Sequence, residues 1–142
     1  QRPDVEQPWQ NVGLQVLVQA VDGFKARLDL GEVPTVGDAV LVRVTVRNNT
    51  DRAVRVDAKR LSLVDAQGGA REPLTGSALA TALAGNAASE KVRAELVGAK
   101  PIAGHETRSG YLVYPPGRYR EARISIEDVE TEETEGFVTR VE

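Results

Sequence analysis

Residues 37–51 read GDAVLVRVTVRNNTD. Val40, Val42, Val44 and Val46 alternate there with Leu41, Arg43, Thr45 and Arg47. A repeat of two is that of a β-strand, whose successive side chains point to opposite faces. Branched side chains pack well on a pleated surface, so the valine face is the expected core face. Two arginines and a threonine leave the other face half solvated, the pattern of an antiparallel sheet with one wet side. Asn48-Asn49-Thr50-Asp51 ends the strand in a turn, because these residues tolerate left-handed backbone or bond their own main chain. Asn48-Asn49-Thr50 also matches the acceptor sequence for N-glycosylation; the turn accounts for these residues without modification.

Outward from this strand, further alternation appears on both sides. Val12, Leu14, Val16 and Val18 precede it, and after Asp22-Gly23 the residues Phe24, Ala26, Leu28 and Leu30 alternate again. Two alternating runs joined by Asp-Gly predict a β-hairpin with a type I′ turn. Downstream, Val54 with Val56 and Leu61 with Leu63 mark two short strands, and Ala66-Gln67-Gly68-Gly69 a turn. Strands resume at 110–114, break at Pro115-Pro116-Gly117, and continue through Ala122, Ile124 and Ile126. Phe137, Thr139 and Val141 form the last strand of a closing hairpin. Short strands at this spacing predict an antiparallel β-sandwich of about seven to nine strands. One stretch differs. Residues 77–97 are alanine-rich, with Leu79 and Leu83, then Val92 and Leu96, four apart. That is helical spacing in a strong helix former. It predicts a short helical insertion, capped at Thr75 or Ser77, interrupted at Gly85 and capped again at Ser89, packing on the sandwich edge.

The chain has 142 residues, enough for one domain over residues 11–142 behind an extended arm, residues 1–10, that holds Pro3, Pro8 and Trp9. A net charge of -3 argues against nucleic-acid binding. No apolar run approaches the ~20 residues of a transmembrane helix. With no cysteine there is no disulfide, thiolate nucleophile or thiolate metal site. There is no methionine either, so Gln1 begins a trimmed chain or a mature one whose leader was removed; an exported protein is the expectation carried forward.

VRVTVRNNTDRAVRV (42–56), LSLVDAQGG (61–69) and IAGHETRSGYLVYPPG (102–117) together resemble the strand–turn–strand and loop–strand elements of bacterial exported immunoglobulin-like domains. The resemblance implies an immunoglobulin-like sandwich and an exported, periplasmic or cell-envelope address, often that of a lipoprotein with a lipid anchor upstream. It carries no catalytic residues.

Candidate sites are few. His105 is the single histidine and neighbours Glu106. Such a pair could exchange protons, but adjacent residues seldom converge and no nucleophile accompanies them, so a solvated loop is expected. The acidic run 127–135 reads as a charged hairpin tip, or, if a loop curls its carboxylates around one ion, a calcium site. Tyr111, Arg118, Tyr119 and Arg120 gather residue types enriched at binding hot spots, as does Trp9. Their alternative is inward packing of the tyrosines, with the arginines neutralised by the acidic hairpin. The expected function is therefore non-enzymatic and without cofactor or metal: a module that binds another protein or an envelope component. The alternative is a carbohydrate- or small-ligand-binding domain built on exposed aromatics.

Overall fold

The computed structural model describes residues 13–34 and 36–142, so the arm and Trp9 lie outside the described residues. Two antiparallel sheets and three short helices make up the fold. One sheet has the order β1 (Leu14–Ala20), β2 (Val40–Asn48), β6 (Thr107–Tyr114). In the other, β7 (Tyr119–Asp128) is central. Along one edge of β7 lie β3 (Val54–Val56) and β4 (Ser62–Asp65), end to end, separated by a 3-10 turn at Ala58–Arg60. Outside β4 is the two-residue β5 (Ala70–Arg71), and the opposite edge of β7 pairs with β8 (Thr134–Arg140).

The organising strand is central to its sheet, with Val44 opposite Val18 on one side and Gly110 on the other. Its valines at 42, 44 and 46 are buried, in one core with Leu14, Val16 and Val18 from the same sheet and Leu63, Ile124, Ile126 and Phe137 from the other. The two sheets thus face each other across a shared apolar layer, a sandwich-like arrangement. Tyr114 sits in this core, and its hydroxyl donates to the Leu61 carbonyl at 2.6 Å. Burial pushes that phenol well above its ordinary pKa.

The predicted hairpin at Asp22-Gly23 does not form. Residues Gly23–Leu30 are a helix, α1. Asp22 is its N-cap, accepting the Lys25 N–H at 2.8 Å, and Gly31, at φ 85°, ends it by donating to Arg27. Residues two apart on a helix lie about 200° around its axis. Phe24, Ala26, Leu28 and Leu30 therefore split into two opposed stripes. Ala26 and Leu30 are buried, whereas Phe24 and Leu28 are 68% and 70% exposed. The alanine-rich stretch does fold as two helices, α2 (Gly76–Ala82) and α3 (Ala87–Ala94). The cap of α3 is Asn86, whose side chain accepts the Ser89 N–H at 3.0 Å, and not Ser89 itself; Thr75 occupies the N-cap position of α2.

These helices cover the outer face of the first sheet at one end. Leu30, Leu83, Val92, Leu41, Tyr111 and Val113 form a second apolar cluster there. The flanking chain also closes the free edge of β6. Tyr111 N–H donates to Glu95 C=O at 2.9 Å, Val97 N–H to Tyr111 C=O at 3.0 Å, and Leu74 N–H to Val113 C=O at 2.7 Å. Gly110 permits this approach, since a Cβ there would stand 3.0 Å from the Glu95 oxygen.

The helical assignment of residues 23–30 separates two substitutions that a strand would treat alike. Leu30→Ala should lower the unfolding free energy in urea by about 2–5 kcal/mol. Phe24→Ala should change it by no more than about 0.5 kcal/mol. Equal losses would restore the strand reading.

Candidate functional site

The residues singled out in the sequence do not assemble into one site. Tyr111 is buried under α3 in the second cluster, and burial raises its pKa, so it is not part of an outward surface. A short apolar run, Tyr111 to Tyr114, is buried on both faces because the helices cover the side that would otherwise be wet. Tyr119 is half-buried and closes its own turn: its hydroxyl donates to Pro115 C=O at 2.5 Å and its ring lies 6.0 Å from that of Tyr114. Arg118 is exposed at the tip of this turn, and Arg120 is exposed one strand position beyond Tyr119.

The arginines of this segment do not neutralise the acidic hairpin. Asp128 is nine residues along β7 from Tyr119, about 30 Å at a strand's rise. Arg52 and Arg55 serve instead. Arg52 Nε lies 2.6 Å from Asp128 and its Nη2 3.3 Å from Glu130, while Arg55 pairs with Glu127 at 3.2 Å. Asp128 also accepts the N–H groups of Glu130 and Thr131, folding the tip over itself. The Arg52 hydrogen bond holds the Asp128 carboxyl below the usual aspartate range. Among the described residues no three carboxylates or imidazoles gather at metal-ligand geometry.

His105 and Glu106 turn to different partners. His105, at φ 67°, places Nε2 2.7 Å from Asp51 Oδ1 on an exposed corner. Glu106 accepts the Ala103 N–H at 2.8 Å and Arg108 at 2.9 Å, which together hold its pKa below the ordinary value. Both belong to a loop clamp centred on Asn48. Asn48 is 0% exposed. Its Nδ2 donates to the carbonyls of Arg52, Ile102 and Ala103 at 2.7, 3.2 and 3.1 Å, and its Oδ1 accepts the Thr50 N–H and hydroxyl. The acceptor nitrogen for a glycan is thus sealed inside the folded protein.

A broad concavity among the described residues lies elsewhere, between β1 and β8. Among the described residues these strands are bonded towards their C-terminal ends: Glu142 N–H donates to Val18 C=O at 2.9 Å, and Ala20 N–H donates to Glu142 C=O at 2.7 Å. Upstream the two edges part around a groove of about 890 Å³. Main-chain direction alternates along a strand. Val141 N–H donates to Arg120 C=O, so the odd-numbered residues of β8 face β7. The N–H and C=O groups of Gly136 and Val138 and the N–H of Arg140 therefore face the opening, while the Arg140 C=O lies at the bridge to Val18. By the same alternation from Val18, the N–H and C=O of Val16 face the opening from β1.

Apolar side chains border this opening on its wet side. Leu17 is 37% exposed and Val138 54% exposed, and both line the groove with Arg47, Arg120 and Arg140. Only Arg120 among these was marked in the sequence. The available signal was parity: Leu17 and Val138 are apolar residues at the solvent-facing positions of otherwise alternating strands.

No protein-family model matches this chain, and no curated protein matches it. Solved structures of similar shape include the yjhA protein from Bacillus subtilis, 10% identical over 76% of this chain and 78% of that one, with a TM-score of 0.46. Another is a Northeast Structural Genomics Consortium target, 11% identical over 90% of this chain and 83% of that one, with a TM-score of 0.43.

The clamp can be weighed directly. Asn48→Ala removes a buried amide that donates to three carbonyls and accepts from Thr50, and should cost at least about 2 kcal/mol in chemical denaturation. Asn49→Ala, at an exposed neighbour, should stay within about 0.5 kcal/mol. Similar stabilities of the two variants would remove Asn48 from its central place.

Proposed function

We propose that this protein is a non-enzymatic binding module of immunoglobulin-like type that takes an extended segment of another protein between β1 and β8. The observation that carries this is the pair of strand edges that, beyond their bonds to Glu142, have no ladder partner among the described residues and border one groove. An exposed edge presents a row of main-chain donors and acceptors, and an added strand satisfies them while side-chain contacts supply selectivity. The groove volume also falls within the roughly 300–1,000 Å³ of ligand clefts. The immunoglobulin-like assignment is supported by two antiparallel sheets on one core and by β6 returning from far along the chain to lie beside β2. The exported, envelope-associated address, with its lipid anchor, rests on the sequence resemblance. The alternative of a sugar-binding aromatic platform draws less support, because Tyr111 is internal and Tyr119 is folded into its own turn.

The test is selection of extended peptides from a displayed eight-residue library, followed by mapping on the amide spectrum of the labelled protein. Selected peptides should shift Leu17, Gly136, Val138 and Arg140. Val138→Pro removes a donor that faces the groove and takes none from the β7 ladder, so it should abolish binding with little change in melting temperature. Peptides that instead shift Phe24 and Leu28, or that bind the proline variant unchanged, would refute the groove as the site.

A further inference from the structure

We infer that the partner of this groove is an acidic extended segment, alternating apolar and carboxylate side chains; the inference rests on the groove being the binding site. Three arginines, Arg47, Arg120 and Arg140, line the opening in a chain whose net charge is -3. Seven other arginines are matched with acids, among them Arg43 with Asp29, Arg52 with Asp128, Arg55 with Glu127, Arg93 with Glu90, Arg108 with Glu106 and Arg123 with Glu121, whereas Arg27, Arg71 and Arg118 have no salt bridge to a described residue. The three groove arginines have no salt bridge to any described residue, and the nearest engagement is a 3.4 Å bond from Arg47 to Gln15.

The acids that share the lining are largely committed. Glu121 is paired with Arg123, and Asp65 accepts the N–H groups of Gln67 and Gly69 in its own turn. With Glu121 neutralised by Arg123, Asp65 and Glu142 are the remaining lining carboxylates, so three arginines face two carboxylates and the wall keeps a small net positive charge. Arginine presents a planar fork that suits a carboxylate in two parallel hydrogen bonds. An incoming strand would continue the sheet surface, so every second side chain would lie on the outer face beside Leu17, Val138 and Arg140. The intervening side chains would point towards the buried layer of Val16 and Phe137. That geometry selects acids at outer positions and apolar residues at inner ones. A second copy of this chain is disfavoured, since pairing two β8 edges would bring the same arginines together.

The experiment measures fluorescence anisotropy of three labelled seven-residue peptides that alternate valine with glutamate, glutamine or lysine, using the whole chain. The glutamate peptide should bind at least about fivefold tighter than the glutamine one, with the lysine peptide weakest, and its advantage should shrink as salt rises. The triple variant Arg47→Gln, Arg120→Gln, Arg140→Gln should erase that advantage while keeping the wild-type melting temperature. If all three peptides bind alike and still shift Val138 and Arg140, the acidic preference is wrong and the groove survives. If none shifts the groove residues, the groove itself fails. Tighter glutamate-peptide binding by an Asp4→Lys, Glu6→Lys variant would assign the groove to the chain's own first residues and overturn a foreign partner.

Discussion

The buried amide of Asn48 is the constraint through which the two sheets are joined on one side of the molecule. It stands at the last position of β2, yet its bonds run to the turn that follows and to the loop before β6, more than fifty residues away in sequence. Ile102, whose carbonyl it binds, also exchanges main-chain bonds with Val54 of β3 at 2.7 and 2.9 Å. One side chain thus ties the first sheet to a loop already bonded to the second. The approach is close enough to exclude a side chain, since a Cβ on Gly104 would lie 2.7 Å from the Thr50 oxygen. A buried amide is expensive when unmatched and specific when fully matched. Asn48 is matched on both its nitrogen and its oxygen, so its burial fixes the loop instead of straining it.

On the other side, among the described residues, the sheets are joined at one end alone, where Glu142 bonds Val18 and Ala20, and this difference defines the molecule. The edge of β6 is closed by main-chain bonds from residues 74, 95 and 97, and β7 is paired along both edges. The groove is where that closure stops. It arises from incomplete pairing, and no loop had to be elaborated to make it.

Much of this architecture was readable because local pattern and tertiary environment agreed. The valine strand alternates, is central, and buries the face that its sequence marks. Most of the region 77–97 is helical, in two pieces, because alanine content and i, i+4 spacing point the same way. The error at 23–30 came from a pattern that two geometries share. Phe24, Ala26, Leu28 and Leu30 have period two, but they also form two i, i+4 pairs. The deciding marks were at the ends: Asp22 able to cap and Gly31 able to terminate. Tyr111 takes the inward alternative, and its sequence context agrees, as Tyr111-Leu112-Val113-Tyr114 is a continuous apolar run, the signature of a strand covered on both faces. The groove was hardest to see. It depends on which edges stay unpaired after strands distant in sequence have found their partners, and residue order alone records only its faint trace, an apolar residue on each wet face.

An open edge carries a hazard that the arginines of the groove also answer. Leu17 and Val138 beside free main-chain groups would invite pairing between copies of the chain. Arg140 on the edge strand and Arg47 and Arg120 on either flank oppose that pairing by like charge, and they do so without filling the opening. The same three charges would attract a segment of opposite sign. The proposed recognition of an acidic partner would therefore need no device separate from the rejection of self, and none of the three arginines has a salt bridge to a described residue. Had carboxylates neutralised them at home, as Asp128 does Arg52, the edge would be less protected and less selective at once.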